Sequence, residues 1–106
     1  SMVGHHATRL YDELHVDKAF VGVAGISIEQ GLTEYNLDDA LVKRAMIATA
    51  DQVIVVADST KLNRITFATI VALSEVDMIV TDENADSQTV DRLLDQGIEV
   101  ILADSA

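Results

Sequence analysis

"VIVVADSTKL", residues 53–62, sets four β-branched hydrophobes and an alanine directly against Asp58, Ser59, Thr60 and Lys61. An apolar run without polar alternation is the pattern of a strand covered on both faces, and such cover is supplied by helices packed on a parallel sheet. The run therefore predicts an α/β fold with a mostly parallel, Rossmann-like sheet in three layers, helices on both faces. Where the run stops, an acid, two hydroxyls and a base follow at once. In open parallel sheets the ligand crevice lies outside the carboxyl ends of the strands, so residues in that position are site candidates.

Working outward, the flanking segments repeat the same alternation. Upstream, "AFVGVAG" (residues 19–25) is short, β-rich and closed by glycine, as a buried strand would be. Asn36 reads as the cap of a helix running to about Ala50, with Asp38 and Asp39 in its first turn. Its expected apolar stripe is Leu37, Leu41, Ala45 and Ala48, with Val42 and Met46 beside it and Lys43 and Arg44 pointing partly away. Downstream, "ITFATIVAL" (65–73) is expected to be extended and "DMIVTD" (77–82) to be a strand. Asp86 or Ser87 then caps a helix that turns Val90, Leu93 and Leu94 inward and ends at Gly97, and "IEVILA" (98–103) is the last strand. Strand, helix, glycine and strand in that order is a βαβ crossover. Nearer the start, Ala7, Leu10 and Leu14 fall on one face of a short helix.

Size and composition narrow the function. A chain of 106 residues, 49% apolar, builds one core. It has no cysteine, which removes disulfides, thiolate metal sites and a cysteine nucleophile and suits a reducing cytoplasm. Apolar runs reach only about five residues, against the ~20 needed to span a bilayer, so no membrane partner is expected. Eighteen acids against seven bases give a charge of −11, which repels phosphate backbones, and 4% aromatics with no tryptophan offer no platform for stacking bases. Ser1 and Met2 read as a tag-removal scar before a start codon, leaving residues 3–104 as the domain.

Residues just past the strands collect polar chemistry: Gly25 and Ser27 after the first, Asp58 to Lys61 after the second, Thr81 and Asp82 after a later one. Asp58 and Lys61 can balance each other's charge within one turn, and either can bond a hydroxylated or anionic ligand. The same residue types also serve plain turns and caps, and that alternative stays open. Other chemistries fail on spacing. His5, His6 and His15 lack partners at ligand intervals. No G-x-S-x-G occurs, and Gly22, Gly25 and Gly31 do not form a dinucleotide fingerprint. No metal or cofactor is expected.

The succession "DKAFVGVAGIS" (17–27), "GLT" (31–33), "VKRAMIATADQVIVVADSTKL" (42–62) and "FATIVALSEVDMIVTD" (67–82) resembles the C-terminal effector-sensing domain of the DeoR family of bacterial transcription repressors. The resemblance covers nearly the whole chain. It implies the fold of ribose-5-phosphate isomerase and glucosamine-6-phosphate deaminase, truncated on its N-terminal side, and a phosphorylated sugar or related metabolite as effector. The "ADSTK" stretch is similar to the isomerase's Asp-x-Ser-Lys turn, whose lysine contacts substrate, which carries to Asp58 and Lys61. Where the isomerase keeps its acidic catalytic loop, this chain has Gly25, Ser27 and Thr33, with Glu29 as the one acid, so the resemblance implies sensing without catalysis. With Asp82, these give the expected effector-binding set: Gly25, Ser27, Thr33, Asp58, Lys61 and Asp82.

Two family features are missing from the sequence: the winged helix-turn-helix, so operator DNA would be reached only through a domain outside it, and the Gly-Asp-x-(Ser/Thr)-Thr phosphate loop. The resemblance further implies a homo-oligomer. An isomerase or deaminase fragment and an oligomerisation module are the alternatives.

Overall fold

In chain order, the computed structural model forms strands β1 (Val16–Val21), β2 (Gly25–Ser27) and β3 (Gly31–Glu34), helix α1 (Leu37–Ala48), strand β4 (Ala50–Val56) and a 3-10 turn (Ser59–Lys61). Strand β5 (Ala68–Val71), a second 3-10 turn (Leu73–Glu75), β6 (Met78–Asp82), helix α2 (Ser87–Asp95) and β7 (Glu99–Ala103) follow. The structure describes residues 16–104, and the expected helix around residues 6–14 lies outside them.

The apolar run at residue 53 is the heart of a four-stranded parallel sheet, β1-β4-β6-β7. The register sets Val21 beside Val55, Val55 beside Ile79 and Ile79 beside Val100. Side chains alternate across a strand, so this row lies on one face together with Ala19 and Val53. All of these strand residues belong to the core or pack on it, joined by Ala40 and Ile47 of α1, Leu93 of α2 and Ile26, Leu32 and Ile70 of the other strands.

The sheet grows in one direction along the chain, and right-handed connections then place every crossover on the same side. The opposite face carries Phe20, 64% exposed, with Val56 and Ile101 also exposed. The parallel α/β sheet is the expected one. Ile54 is nonetheless buried on the opposite face, whereas both described helices contribute side chains to the core on the other, in keeping with a β1→β4→β6→β7 order that never reverses.

A second, antiparallel sheet, β2-β3-β5, sits within the first two crossovers and is absent from the sequence reading, which ended its strand at Gly25. Its hairpin turns through Gly31 at φ +81°, where a Cβ would run into the Val71 carbonyl. The Gln30 N–H donates to Ser27 Oγ at 3.1 Å and closes that turn.

Asn36 does cap α1, its Oδ1 accepting the Asp39 N–H at 2.8 Å. The buried residues of that helix are Ala40, Ala45 and Ile47, whereas Leu37 of the expected stripe is exposed. The helix packs against β3 and β5 as well as β1 and β4, and cover from two directions smears the stripe. Arg44 is exposed, as expected, yet reaches across to β5: Nε donates to Ile70 O and Nη2 to Thr69 O, at 2.9 and 2.8 Å. In α2, Asp86 is the cap, accepting the Thr89 N–H at 3.1 Å, and Gly97 ends the segment at φ +86°. Leu93 is fully buried but Leu94 is exposed, since Thr89 and Leu93, four residues apart, already define the inward stripe.

Candidate functional site

The turn after β4 is built by its own first residue. Asp58 Oδ1 accepts the Thr60 N–H at 2.9 Å and the Thr60 hydroxyl, so the carboxylate caps Ser59–Lys61. The Thr60 hydroxyl, then the Thr60 N–H, hold the Asp58 carboxyl below its ordinary pKa, with Lys61 adding a smaller attraction.

Asp82, at the end of β6, fastens this turn from the neighbouring strand. Its Oδ2 accepts the Ser59 N–H at 2.8 Å and its Oδ1 accepts the Asn84 N–H at 2.9 Å. Its pKa is likewise lowered, chiefly by the Ser59 N–H. The strands are already joined just below, where the Ala57 N–H donates to Val80 O. Asp58, Lys61 and Asp82 therefore share one rim. Lys61 is half-buried, and among the described residues no hydrogen bond or ion pair engages its ammonium.

Gly25, Ser27 and Thr33 lie beside that rim in the second sheet, and all are buried. Gly25 pairs with Thr33 across β2 and β3. A Cβ on Gly25 would meet the Arg64 carbonyl and Thr33 Oγ1, so glycine is required for the close approach of the chain that leaves the turn. Thr33 Oγ1 accepts the Thr66 N–H at 3.0 Å, and Ser27 Oγ is taken up by Gln30 and Glu29. The link between the two groups is backbone: Ile26 O accepts the N–H groups of Asn63 and Arg64, and Ile26 bridges Leu62. Gly25, Ser27 and Thr33 are thus buried, while Asp58, Lys61 and Asp82 reach the surface past the ends of β4 and β6.

Sequence reasoning missed four participants. Asn63 adopts φ 61°, a left-handed conformation that asparagine tolerates, and its Nδ2 donates to Thr89 Oγ1 at 2.8 Å. Thr89 in turn donates to Asp86 Oδ2 at 2.9 Å, which ties the rim to the start of α2. Lys43 donates to Gly22 O at 2.6 Å and pairs with the buried Glu34. Glu34 closes β3, "GLTE", whose sequence carries no hint of an ion pair nine residues away. Thr81, which the sequence did mark with Asp82 as strand-end chemistry, has a buried hydroxyl without a partner among the described residues, a group able to take a ligand hydrogen bond.

Among the described residues no helix is long and apolar enough to cross a membrane. Compared with known proteins, the chain matches the DeoR C terminal sensor domain over residues 1–83. It is 41% identical over 90 residues to the HTH-type transcriptional repressor GlcR of Bacillus subtilis, covering 85% of this chain and 34% of that protein. It is 32% identical over 101 residues to the HTH-type transcriptional regulator GlpR of Haloferax volcanii, covering 95% of this chain and 40% of that protein. A protein of Escherichia coli O157:H7 named for repression of the aga operon is 36% identical over 102 residues, covering 96% of this chain and 38% of its own length. The chain thus spans about two fifths or less of the curated relatives it matches, and those relatives are named as transcriptional regulators. With 83 of its 106 residues matched, the chain belongs to the DeoR C-terminal sensor domain family.

Proposed function

We propose that this chain is the effector-sensing portion of a bacterial DeoR-type transcriptional repressor, and that its effector is a phosphorylated sugar or a related anionic metabolite. The observation that carries this reading is the rim itself. Asp82 Oδ2 and Asp58 Oδ1 accept from the one turn Ser59–Lys61, which fixes the turn and leaves the Lys61 ammonium open at the carboxyl end of the sheet. Lys61 would meet the phosphate, and the hydroxyl of Thr81 and the rim carboxylates would meet sugar hydroxyls. Gly25, Ser27 and Thr33 would set the wall against which the sugar rests.

No proton transfer is assigned. Glu29 is exposed and bonded to its neighbour Ser27 Oγ, and a base for moving a proton between sugar carbons would have to stand over the substrate. Operator binding would belong to a winged helix-turn-helix in the full-length protein, in the cytoplasm and in a homo-oligomer. Titration calorimetry with a panel of sugar phosphates tests the reading. One or more should bind, and Lys61→Gln should weaken that binding about tenfold or more, the scale of a lost charge-assisted contact. Turnover of a pentose phosphate by the chain would overturn the sensor reading in favour of an isomerase.

A further inference from the structure

Lys43 and Glu34 form a charged pair at the tip of β1, outside the Asp58–Asp82 clasp. We propose that Lys43 is a second anion-contacting residue of the mouth and that Glu34 is the positioning residue that holds it there; this rests on the reading that the mouth takes an anionic metabolite.

Placement comes first. The Lys43 ammonium donates to the carbonyl of Gly22, the residue that follows β1, at 2.6 Å. Val21 of β1 is in register with Val55 of β4, so Gly22 stands level with Val56, and a Cβ on Gly22 would meet nothing nearer than Val56 O at 4.0 Å. Two residues past Val56 the turn opens at Asp58. The row of strand tips thus reads Gly22 with Lys43, then Asp58 to Lys61, then Asp82, and the exposed Gly22 puts no side chain in the way.

Hydrogen-bond capacity points the same way. A lysine has three N–H donors, and here two are committed, to Gly22 O and Glu34 Oε1. Each Glu34 oxygen already holds a partner, Oε1 the lysine and Oε2 the Tyr35 N–H at 3.1 Å. The pair is lopsided: the glutamate side chain is 10% exposed and the lysine side chain 27%. The acid is set back, while the base reaches the surface with a donor left over.

Charge gives the reason for a second cation. Asp58 and Asp82 are both held below the ordinary carboxylate pKa, so both are ionised at neutral pH. An entering phosphate would meet two carboxylates beside Lys61. Lys43 adds a second ammonium on the β1 side, with its counter-charge withdrawn into the interior.

The test is an NMR titration of the 106-residue chain, labelled in its lysines with ¹³C and ¹⁵N, using ribose 5-phosphate as probe and ribose as the uncharged control at constant ionic strength. The side-chain signals of Lys43 and Lys61 should both move with the phosphorylated sugar, at a common midpoint, and neither with ribose. Lys43→Gln should raise that midpoint about tenfold, Lys43→Arg should recover part of the loss, and Glu34→Gln should raise it by a smaller factor while the Lys61 response persists. A response of Lys61 with Lys43 unmoved overturns this inference and leaves the sensor reading standing. Silence of both lysines overturns both.

Discussion

Gly22 and Gly25 lie three residues apart and answer differently to the same added methyl. At Gly25 the Cβ would strike the Arg64 carbonyl and Thr33 Oγ1, neither of which is the far end of a flexible chain. Gly25→Ala should cost about 2–3 kcal/mol, the scale of overpacking, and should also weaken any effector because the displaced strand leads back to the Asp58 turn. Gly22 has negative φ and open space, so Gly22→Ala should be neutral or stabilising by up to about 1 kcal/mol. Urea denaturation of the two variants side by side reads both.

The rim carboxylates make a pH prediction at the same scale. Both pKa values are lowered by bonds made only in the fold, Asp58 by Thr60 and Asp82 by Ser59, so their stabilising contribution is complete above the ordinary carboxylate pKa of about 4. It is lost as pH falls through the lowered, folded-state values. Amide exchange at Ser59 should accelerate, relative to core amides, as the pH is brought below about 4, and Asp82→Ala should show the faster relative exchange already at neutral pH. Unaltered relative protection of Ser59 in Asp82→Ala would show that the clasp does not hold the turn.

Elements differ in how far their sequences betray them. The strands β4 and β6 were legible because a run such as Val53 to Ala57 has no other comfortable structure, and the caps Asn36, Asp86 and Gly97 were legible because capping uses few residue types. The hairpin of β2 and β3 was not, since strands of three and four residues are too short to show a period and their buried Ser27, Thr33 and Glu34 look like surface chemistry. The Arg44 and Lys43 anchors escaped for a related reason: their partners include the carbonyls of Ile70, Thr69 and Gly22, and a backbone acceptor leaves no residue-type signature. The place of Asp58 and Lys61, just past β4, was legible because a strand end is a place that sequence can mark. Helix α2 offers the test at this scale. With nine residues it depends on its cap and on Leu93, so Asp86→Ala should cost about 1 kcal/mol and Leu93→Ala about 2–5 kcal/mol, read by thermal and urea unfolding.

Across the whole molecule, the two faces of the parallel sheet are packed unequally: the main core cluster lies on one, while on the other Ile54 is buried and Phe20, Val56 and Ile101 are exposed. Val21 and Phe20 are adjacent in β1 and make the contrast at nearly constant backbone position: Val21 is 1% exposed and points into the cluster with Val55 and Ile79, whereas Phe20 is 64% exposed beside Ile54 on the far side. If the connections all lie on one side, as the unreversed strand order requires, hydroxyl substitutions should divide by face and not by residue size. Val21→Ser should destabilise the chain by about 2–4 kcal/mol, combining lost apolar burial with a hydroxyl that has no partner in the core. Phe20→Ser removes a far larger side chain yet should shift stability by no more than about 0.5 kcal/mol, the range of exposed positions. Urea denaturation midpoints at one protein concentration decide it: a large loss at Phe20 would mean that the far face is packed in solution, and the unequal packing of the two faces would then be wrong.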